Sequence, residues 1–388
     1  MKRAEIERNL LALRRRKMMQ SAFAYYRGSG EAFYGQWLTP LLRLKAPTVW
    51  LNGDLHLENF GTYRGDNRLT YFDIGDFDDA CRGPATIDLF RFLTGLILAS
   101  PDMAIPFAEA KELGRFALAQ YRTALADGKA RWLERRVASG AIGDLLRDLE
   151  GRSQADLLEK RTVEKNGKRR LRFDTGKALK LGREDTARVT AAMDRFARHR
   201  AHPEFFQVLD VAQRVAGLGA LGRPRYVVLI AGNGGRQGQA LIDLKSQPGS
   251  ILAPLLGPHR IKQPPCANEA KRVVAIEYHL QAAAPAFLTD LKIGRAAYTF
   301  RELQPDQDKL EVKHLAGDAR RRAEAVGAMA ELLAWAQLRT SGWRGAAVID
   351  DLAAWGTAKD WAVPLLALAV KAAKATESAW TAAAQGKH

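Results

Sequence analysis

The protein has 388 residues, of which 47% are hydrophobic, and it carries 60 lysine and arginine residues against 43 aspartate and glutamate residues. This length and hydrophobic content indicate a globular protein of about two or three domains. The formal net charge of +17 favours anionic ligands, which include nucleotides, phosphorylated substrates and nucleic acids.

The cysteine content and the N-terminal sequence bear on location. Cys81 and Cys266 are the only cysteines, which is too few for a disulfide framework or a cysteine zinc site and favours a cytoplasmic location. The opening "MKRAEIERNLLALRRRKMM" predicts an amphipathic helix and not a signal peptide, because charges interrupt every apolar run. The sequence contains no apolar stretch of about 18 residues, so no membrane span is predicted.

The first zone, residues 1–150, contains most of the chemically notable side chains. Helices are predicted to about residue 45, followed by "TVWLNGDLHLENFGTYRGDNRLTYFDIGDFDDA", where short β-branched and aromatic runs around "RGDN" predict strand, turn and strand. Asp88 then precedes the apolar run "LFRFLTGLILA" at a position typical of a helix N-cap.

The second zone, residues 151–205, is basic. Asn166 and Gly167 lie between two extended runs and predict a β-hairpin. Two interpretations stay open for the surrounding lysine and arginine residues, a solvated flap or a surface that receives phosphate or nucleic acid. Aromatic residues are sparse there, with Phe173 alone, so a nucleic-acid partner is not favoured.

The third zone, residues 206–305, contains a GxGxxG pattern formed by Gly217, Gly219 and Gly222. A dinucleotide-binding fold would begin a helix after these glycines, whereas Pro224 and "RYVVLIAG" predict a strand. Strand, glycine turn and strand is the arrangement in which kinases cover nucleotide phosphates, and Lys245 on the next predicted strand would contact those phosphates. An ordinary hairpin and a charged strand end are the alternatives.

The carboxylates of the first zone supply the other parts that phosphoryl transfer needs. An aspartate must orient the acceptor hydroxyl and take its proton, and an asparagine a short way along the chain must bind magnesium. Asp54 and Asn59, five positions apart, match this requirement, and Asp73 after the next predicted strand would link metal to the phosphates. One further acid is expected to join the metal, for which we choose Asp76, while Asp78 and Asp79 are expected to face solvent.

The motifs "NGDLHLENFG", "FDIGDFDDACRGPATIDL" and "MMQSAFAYYRG" together resemble an uncharacterised bacterial family known only as a domain of unknown function. Its motifs in turn resemble those of aminoglycoside phosphotransferases and other kinase-like enzymes. The resemblance implies Asp54 as catalytic base, Asn59 and Asp73 as magnesium ligands, Asp88 as a carboxylate that braces the loop, and His56 as a residue that packs locally.

The same resemblance implies an α+β, two-lobe protein-kinase-like fold with a small antiparallel β lobe and a larger helical lobe. The glycine loop and Lys245 follow the catalytic motifs, whereas kinase chains place them first, so the order is circularly permuted. Permutation is tolerated where the original termini lie close together at the surface.

The remaining segments are assigned by their order. The helix "NEAKRVVAIEYHLQAAAPAF" would pair either Glu269 or Glu277 with Lys245, and adenine would contact the backbone from Arg301 to Leu303. The fourth zone, residues 306–388, is predicted to be helical and to complete the large lobe. Gln337 lies near the end of its first helix, where the resemblance implies a histidine.

These expectations favour an ATP- and magnesium-dependent phosphotransferase that acts on a hydroxyl of an unidentified acceptor, for which the basic charge favours an anionic compound. Nucleotidyl transfer on the same fold is one alternative. A binuclear metal phosphoesterase is another, because "GDLH" and "GDFDD" mimic its metal-binding blocks. A non-catalytic nucleotide-binding module or a basic RNA-binding protein is the third.

Overall fold

The structure is a computed structural model and describes residues 3–215, 223–235, 238–305 and 307–385. It is a mixed α and β protein, as predicted, and the strands are confined to antiparallel ladders in the described ranges. None of the helices in these ranges combines the length and apolar character needed to cross a membrane.

The helices and strands alternate along the chain as follows. The helices are α1 Arg3–Met18, α2 Ala22–Gly28, α3 Gly30–Leu42, α4 Thr86–Leu98, α5 Phe107–Asp127, α6 Gly140–Asp148, α7 Gln154–Arg161, α8 Arg183–Ala197, α9 Ala253–Leu256, α10 Glu269–Leu280, α11 Ala319–Arg339, α12 Ile349–Thr357 and α13 Ala362–Ala384. The strands are β1 Thr48–Leu51, β2 Phe60–Arg64, β3 Thr70–Ile74, β4 Cys81–Pro84, β5 Leu133–Glu134, β6 Thr162–Lys165, β7 Lys168–Leu171, β8 Ala178–Leu179, β9 Val208–Arg214, β10 Arg225–Ile230, β11 Ala240–Ser246, β12 Thr289–Ile293 and β13 Ala296–Glu302.

The larger hydrophobic core joins the two ends of the chain. Every residue of α4 is buried, and α13 packs against α4 while α11 and α12 pack against α5. The predicted C-terminal helices therefore complete the same body as the N-terminal zone. Strand β1 pairs with β4, and β2 pairs with β3, so the carboxylate-rich stretch lies on loops at one side of this core.

The smaller core lies on a six-stranded antiparallel sheet with the order β12-β13-β11-β10-β9-β8. Helix α8 covers one face of the sheet through Val189, Met193 and their neighbours. Helix α10 contacts β12 and β13, but its Val273 and Ile276 belong to the larger core, so this helix joins the two parts.

Part of the basic second zone forms a separate hairpin, and part of it belongs to the six-stranded sheet. Strands β6 and β7 form the predicted hairpin, and both Asn166 and Gly167 have positive φ, 51° and 70°, as a tight hairpin turn requires. However, β8 extends the large sheet and α8 packs on it. The expected boundary at residue 205 therefore separates α8 from the sheet that it covers.

Two of the carboxylate loops meet at Gly53. Its φ is +85°, and a Cβ atom added there would lie 2.1 Å from the carbonyl oxygen of Asp79. The Tyr34 hydroxyl donates a hydrogen bond of 2.8 Å to the Gly53 carbonyl oxygen. Only glycine permits both this backbone conformation and this close approach.

Gly53→Ala should therefore lower the free energy of unfolding by at least about 2 kcal/mol, because the new methyl group forces two loops apart at a strained φ. Chemical denaturation followed by circular dichroism measures this change. Gly151→Ala is the matched control, since a Cβ atom at Gly151 meets nothing within 4 Å and φ is not positive there. Equal stability of the two variants would show that the loops do not need this approach.

Candidate active site

A cavity of about 350 Å³ lies where the carboxylate loops face the six-stranded sheet. It brings together eight of the predicted site residues, which are Asp54, His56, Asn59, Asp73, Asp76, Lys245, Glu277 and Arg301. Asp88, Glu269 and Leu303 do not line it. Gly217, Gly219 and Gly222 lie outside the described residues, although the flanking strands β9 and β10 form the expected antiparallel pair.

Asp54 is fixed by a buried arginine that the sequence analysis did not single out. Arg91 on α4 is 0% exposed, and its Nε and Nη2 atoms lie 2.9 Å and 2.7 Å from Asp54 Oδ1. The guanidinium group also donates to the Tyr26 carbonyl oxygen and lies 3.6 Å from the centre of the Tyr26 ring. Both contacts with Asp54 fall on Oδ1, which leaves Oδ2 as the oxygen to accept a proton.

The electrostatic setting of Asp54 suits a general base. Burial raises the pKa of Asp54 to about 6 even though the Arg91 charge opposes this shift. A carboxylate with a pKa near the working pH holds a proton more readily than one at its ordinary value. Asp54 is then ionised at neutral pH and protonated in mild acid.

The loop that carries Asp54 is braced from beneath by Asp88. Its two carboxylate oxygens accept hydrogen bonds of 2.7 Å and 2.9 Å from the backbone N–H groups of Asn52 and Gly53. Asp88 is not the N-cap, because α4 begins at Thr86 and the side chain reaches back from the first turn. Burial raises the pKa of Asp88 to about 7. Within the same loop, Asn59 Nδ2 donates a hydrogen bond of 2.8 Å to the Asp54 carbonyl oxygen.

Asp73 lies at the cavity wall but forms structural contacts. It is 1% exposed, its Oδ1 accepts a hydrogen bond of 2.8 Å from the Ile74 N–H, and its Oδ2 accepts one of 3.0 Å from the Ala282 N–H. Arg339 at the end of α11 forms an ion pair of 2.9 Å with the same Oδ2. Asp73 therefore ties β3, the end of α10 and α11 together, which is a use that the sequence did not indicate.

Asp76 and Asp78 form direct ion pairs with Lys245 at the edge of the cavity. The Lys245 ammonium nitrogen lies 2.6 Å from Asp76 Oδ1 and 2.7 Å from Asp78 Oδ1. Asp76 holds a positive φ of 58°, which turns the chain after β3. The expectation that Asp78 faces solvent is wrong, since Asp78 is 9% exposed. Asp79 is only partly exposed, and its Oδ1 accepts a hydrogen bond of 2.8 Å from the Ile251 N–H.

These ion pairs keep Asp76 and Lys245 charged. Burial acts to raise the pKa of Asp76, but Lys245 and Lys309 outweigh it and hold the pKa below its usual value. Burial acts to lower the pKa of Lys245, yet Asp76 and Asp78 raise it above its usual value. The cavity therefore presents anionic oxygens on one wall and a cationic amine on the other at neutral pH.

The two candidate glutamates of α10 lie in different environments. Glu269 is at the helix start, where its carboxylate is 45% exposed and pairs with Arg272 at 2.6 Å. Glu277 is buried, lines the cavity and lies 3.6 Å from Arg301 Nη1. Of the two, Glu277 shares the cavity with Lys245, although its ion-pair partner is Arg301.

Adenine was expected to contact the backbone from Arg301 to Leu303, but backbone groups of this segment already have partners within the protein. The N–H groups of Glu302 and Leu303 already donate to the carbonyl oxygens of Ala286 and Leu241, at 3.1 Å and 2.8 Å. The Arg301 side chain lies in the cavity. These two backbone donors are therefore engaged within the protein.

His56 and Gln337 are packing residues in this structure. His56 is 3% exposed, contacts Phe23 edge-to-face at 5.9 Å, and has a pKa well below its usual value because of burial. It is therefore neutral. Gln337 is fully buried, and its Oε1 accepts a hydrogen bond of 2.5 Å from the Tyr121 hydroxyl, away from the cavity.

Several cavity residues were not predicted from the sequence to belong to the site. They are Arg27, Arg214, Arg225, Gln281, Asp308 and Lys309. Arg91 had a signal that could have been used, because one arginine in the apolar run "LFRFLTGLILA" must find a buried partner.

The cavity supplies some of the oxygen donors that a magnesium ion needs. In the described ranges no group of three or more histidine, cysteine, aspartate or glutamate residues has the geometry to hold a metal ion. Magnesium is usually bound by one or two carboxylates together with phosphate oxygens and water, so it does not require such a group. Asp76, Asp78 and the amide oxygen of Asn59 are oxygen donors suited to that role.

The pair of Asp73 and Arg339 is open to a direct test. Asp73→Asn and Arg339→Met should each destabilise the protein by about 3 kcal/mol or more, because each leaves a buried partner without its counter-charge. The double variant should lose less than the sum of the two single losses, as coupled partners do. Urea unfolding of the four proteins gives the coupling energy, and strictly additive losses would contradict the pairing.

The model of one protein family matches nearly the whole chain. Residues 7–385 match the model of the family described as "Uncharacterized protein conserved in bacteria (DUF2252)", and the chain belongs to this family. No curated protein matches the sequence. No solved structure matches it either.

Proposed function

We propose that this member of the DUF2252 family is an ATP- and magnesium-dependent phosphotransferase with a kinase-like, circularly permuted fold. The observation that carries the proposal is the contact of Lys245 with Asp76 and Asp78 in a cavity that Asp54 also lines. A general base, oxygen donors for a metal and a cation for phosphates thus share one site, as phosphoryl transfer requires.

The order of the elements supports the kinase-like part of the proposal. Kinases carry the catalytic aspartate and the metal-binding asparagine on one loop, and the lysine on a strand that precedes a helix with a buried glutamate. Here Asp54 and Asn59 lie between β1 and β2, Lys245 lies on β11, and Glu277 lies on the next long helix, α10. The two halves follow each other in the reverse order.

The chemistry would rest on positioning and charge. Asp54 would accept the proton of the acceptor hydroxyl at Oδ2 while Arg91 holds Oδ1. Asp76, Asp78 and Asn59 would hold magnesium, which supplies neutralisation of the charge that develops on the phosphates. Lys245 would bind phosphate oxygens, which is supported by the contacts of its amine with Asp76 and Asp78, two of the proposed metal ligands.

Nucleotidyl transfer would use the same donors and differ in products. A phosphoesterase with two metals fits less well, since such sites are built from several protein ligands for each ion and the described residues offer no such group. The acceptor would carry a hydroxyl group, and the abundance of arginine around the cavity favours an anionic one.

The Asp54 prediction concerns both the transfer and its pH dependence. With ATP, magnesium and a small-molecule extract of bacterial cells, ³¹P NMR should show ADP and a new phosphate ester. The rate should fall as pH drops through about 6, because protonated Asp54 cannot accept a proton.

Asp54→Asn should abolish the new ester while calorimetry shows that ATP binding is retained. Asp66→Asn, a change at an exposed aspartate, is the control and should keep the wild-type rate and pH profile. A new ester formed at the wild-type rate by Asp54→Asn would refute the base assignment. AMP transfer with release of pyrophosphate would favour nucleotidyl transfer.

A further inference from the structure

Three arginines surround one aspartate on the sheet wall of the cavity. Asp243 is 1% exposed, and its oxygens lie 2.8 Å from Arg225 Nε, 2.7 Å from Arg214 Nη1 and 3.7 Å from Arg301 Nε. We call Arg214, Arg225, Arg301 and Asp243 the arginine cluster. Its three guanidinium groups line the cavity, and their side chains are only 16%, 10% and 23% exposed.

The arginine cluster has an excess of positive charge. Asp243 pairs with three guanidinium groups, and Glu277 lies 3.6 Å from Arg301. Asp76 and Asp78 also act on the charge of Arg225, but both of them pair directly with Lys245. Arg214 and Arg225 both pair with the same oxygen, Asp243 Oδ2, at 2.7 Å and 2.5 Å, so they share one anionic partner. A buried cation without a full partner is costly unless a ligand supplies the missing anion.

The sheet register places the arginine cluster beside Lys245. Asp243 and Lys245 are two apart on β11, so their side chains lie on the same face. Arg225 is the cross-strand partner of Lys245, and Arg301 is the cross-strand partner of Asp243. A cationic strip therefore runs along the sheet from the metal-binding side of the cavity to its far wall.

This strip does not suit a purine ring. Pockets for flat apolar rings are lined mainly by apolar and aromatic side chains, with a few polar groups that fix orientation. Guanidinium groups instead match the oxygens of phosphate and carboxylate groups in paired, charge-assisted hydrogen bonds.

We propose that the arginine cluster is an anion-binding site that receives phosphate groups of the nucleotide, so that the phosphate chain and not the base lies against this face of the sheet. The identity of the anion rests on the function proposed above, whereas the site itself rests on the cluster. An acidic group of the acceptor has the same chemistry and is the other source that the experiment separates.

The experiment compares inorganic tripolyphosphate, ATP and adenosine as calorimetric ligands of the full chain. Tripolyphosphate should bind and compete with ATP, and adenosine should not. Arg301→Gln, which changes the most exposed of the three arginines, should weaken both anionic ligands about tenfold, as expected for one lost charge-assisted hydrogen bond.

Two further variants separate binding from folding. Asp243→Asn removes the competing negative charge and should strengthen tripolyphosphate binding, an effect that a purely structural cluster would not produce. Arg320→Gln is the control, because Arg320 is 86% exposed and pairs with Glu324 at the surface. Thermal unfolding midpoints identify any variant that fails to fold.

The outcomes are distinct. ATP binding that is equal in the wild type and Arg301→Gln would overturn the anion site and leave the phosphotransferase proposal standing. Adenosine binding as strong as ATP binding would also overturn the site. Tripolyphosphate binding without ATP binding would support the anion site while contradicting the nucleotide, and would assign the site to an acidic group of another substrate. Binding of neither would refute both proposals.

Discussion

The buried guanidinium group of Arg91 is the constraint on which the candidate site depends. A charge with no exposure must be paired, and Arg91 meets this requirement with Asp54, the Tyr26 carbonyl oxygen and the Tyr26 ring. The pair joins α4 and α2 to the loop that carries the proposed base. Displacing Asp54 would leave Arg91 without its counter-charge, so the large core holds the carboxylate of the proposed base in place.

Charges also connect the two parts of the molecule. Lys245 reaches from the sheet to Asp76 and Asp78, and Arg272 on α10 donates to the carbonyl oxygens of Asp78 and Ala80. The carboxylates and the amine therefore oppose each other at contact distance. In the proposed reaction, a magnesium ion with phosphate groups carries both signs of charge and would replace these direct ion pairs.

Local sequence signals predicted the local structure well. Asn166-Gly167 and "RGDN" mark hairpins because their residues suit tight turns, and the apolar run after Asp88 forms a buried helix. Contacts between distant segments could not be predicted in this way. Asp73 and Arg339 are 266 positions apart, and nothing in either neighbourhood indicates the partner. The sequence alone therefore suggested a metal-ligand role for Asp73 but not its ion pair, and it suggested a solvated position for Asp78, which is buried.

The arginine cluster could not be predicted from the local sequence either. Arg214, Arg225 and Arg301 lie on three different strands, and each alone is an ordinary charged residue near a strand end. The sheet order brings them to one carboxylate, which only the fold reveals. Asp54 and Asn59, in contrast, could be grouped from the sequence because they lie on one short loop.

The most direct test of the account is a calorimetric titration of the protein with ATP, with and without magnesium, repeated on Lys245→Met and Asp76→Asn. The account predicts saturable binding that magnesium strengthens, weaker binding to Lys245→Met, and loss of the magnesium effect in Asp76→Asn. Absence of binding at millimolar ATP, or binding that neither substitution changes, would contradict it.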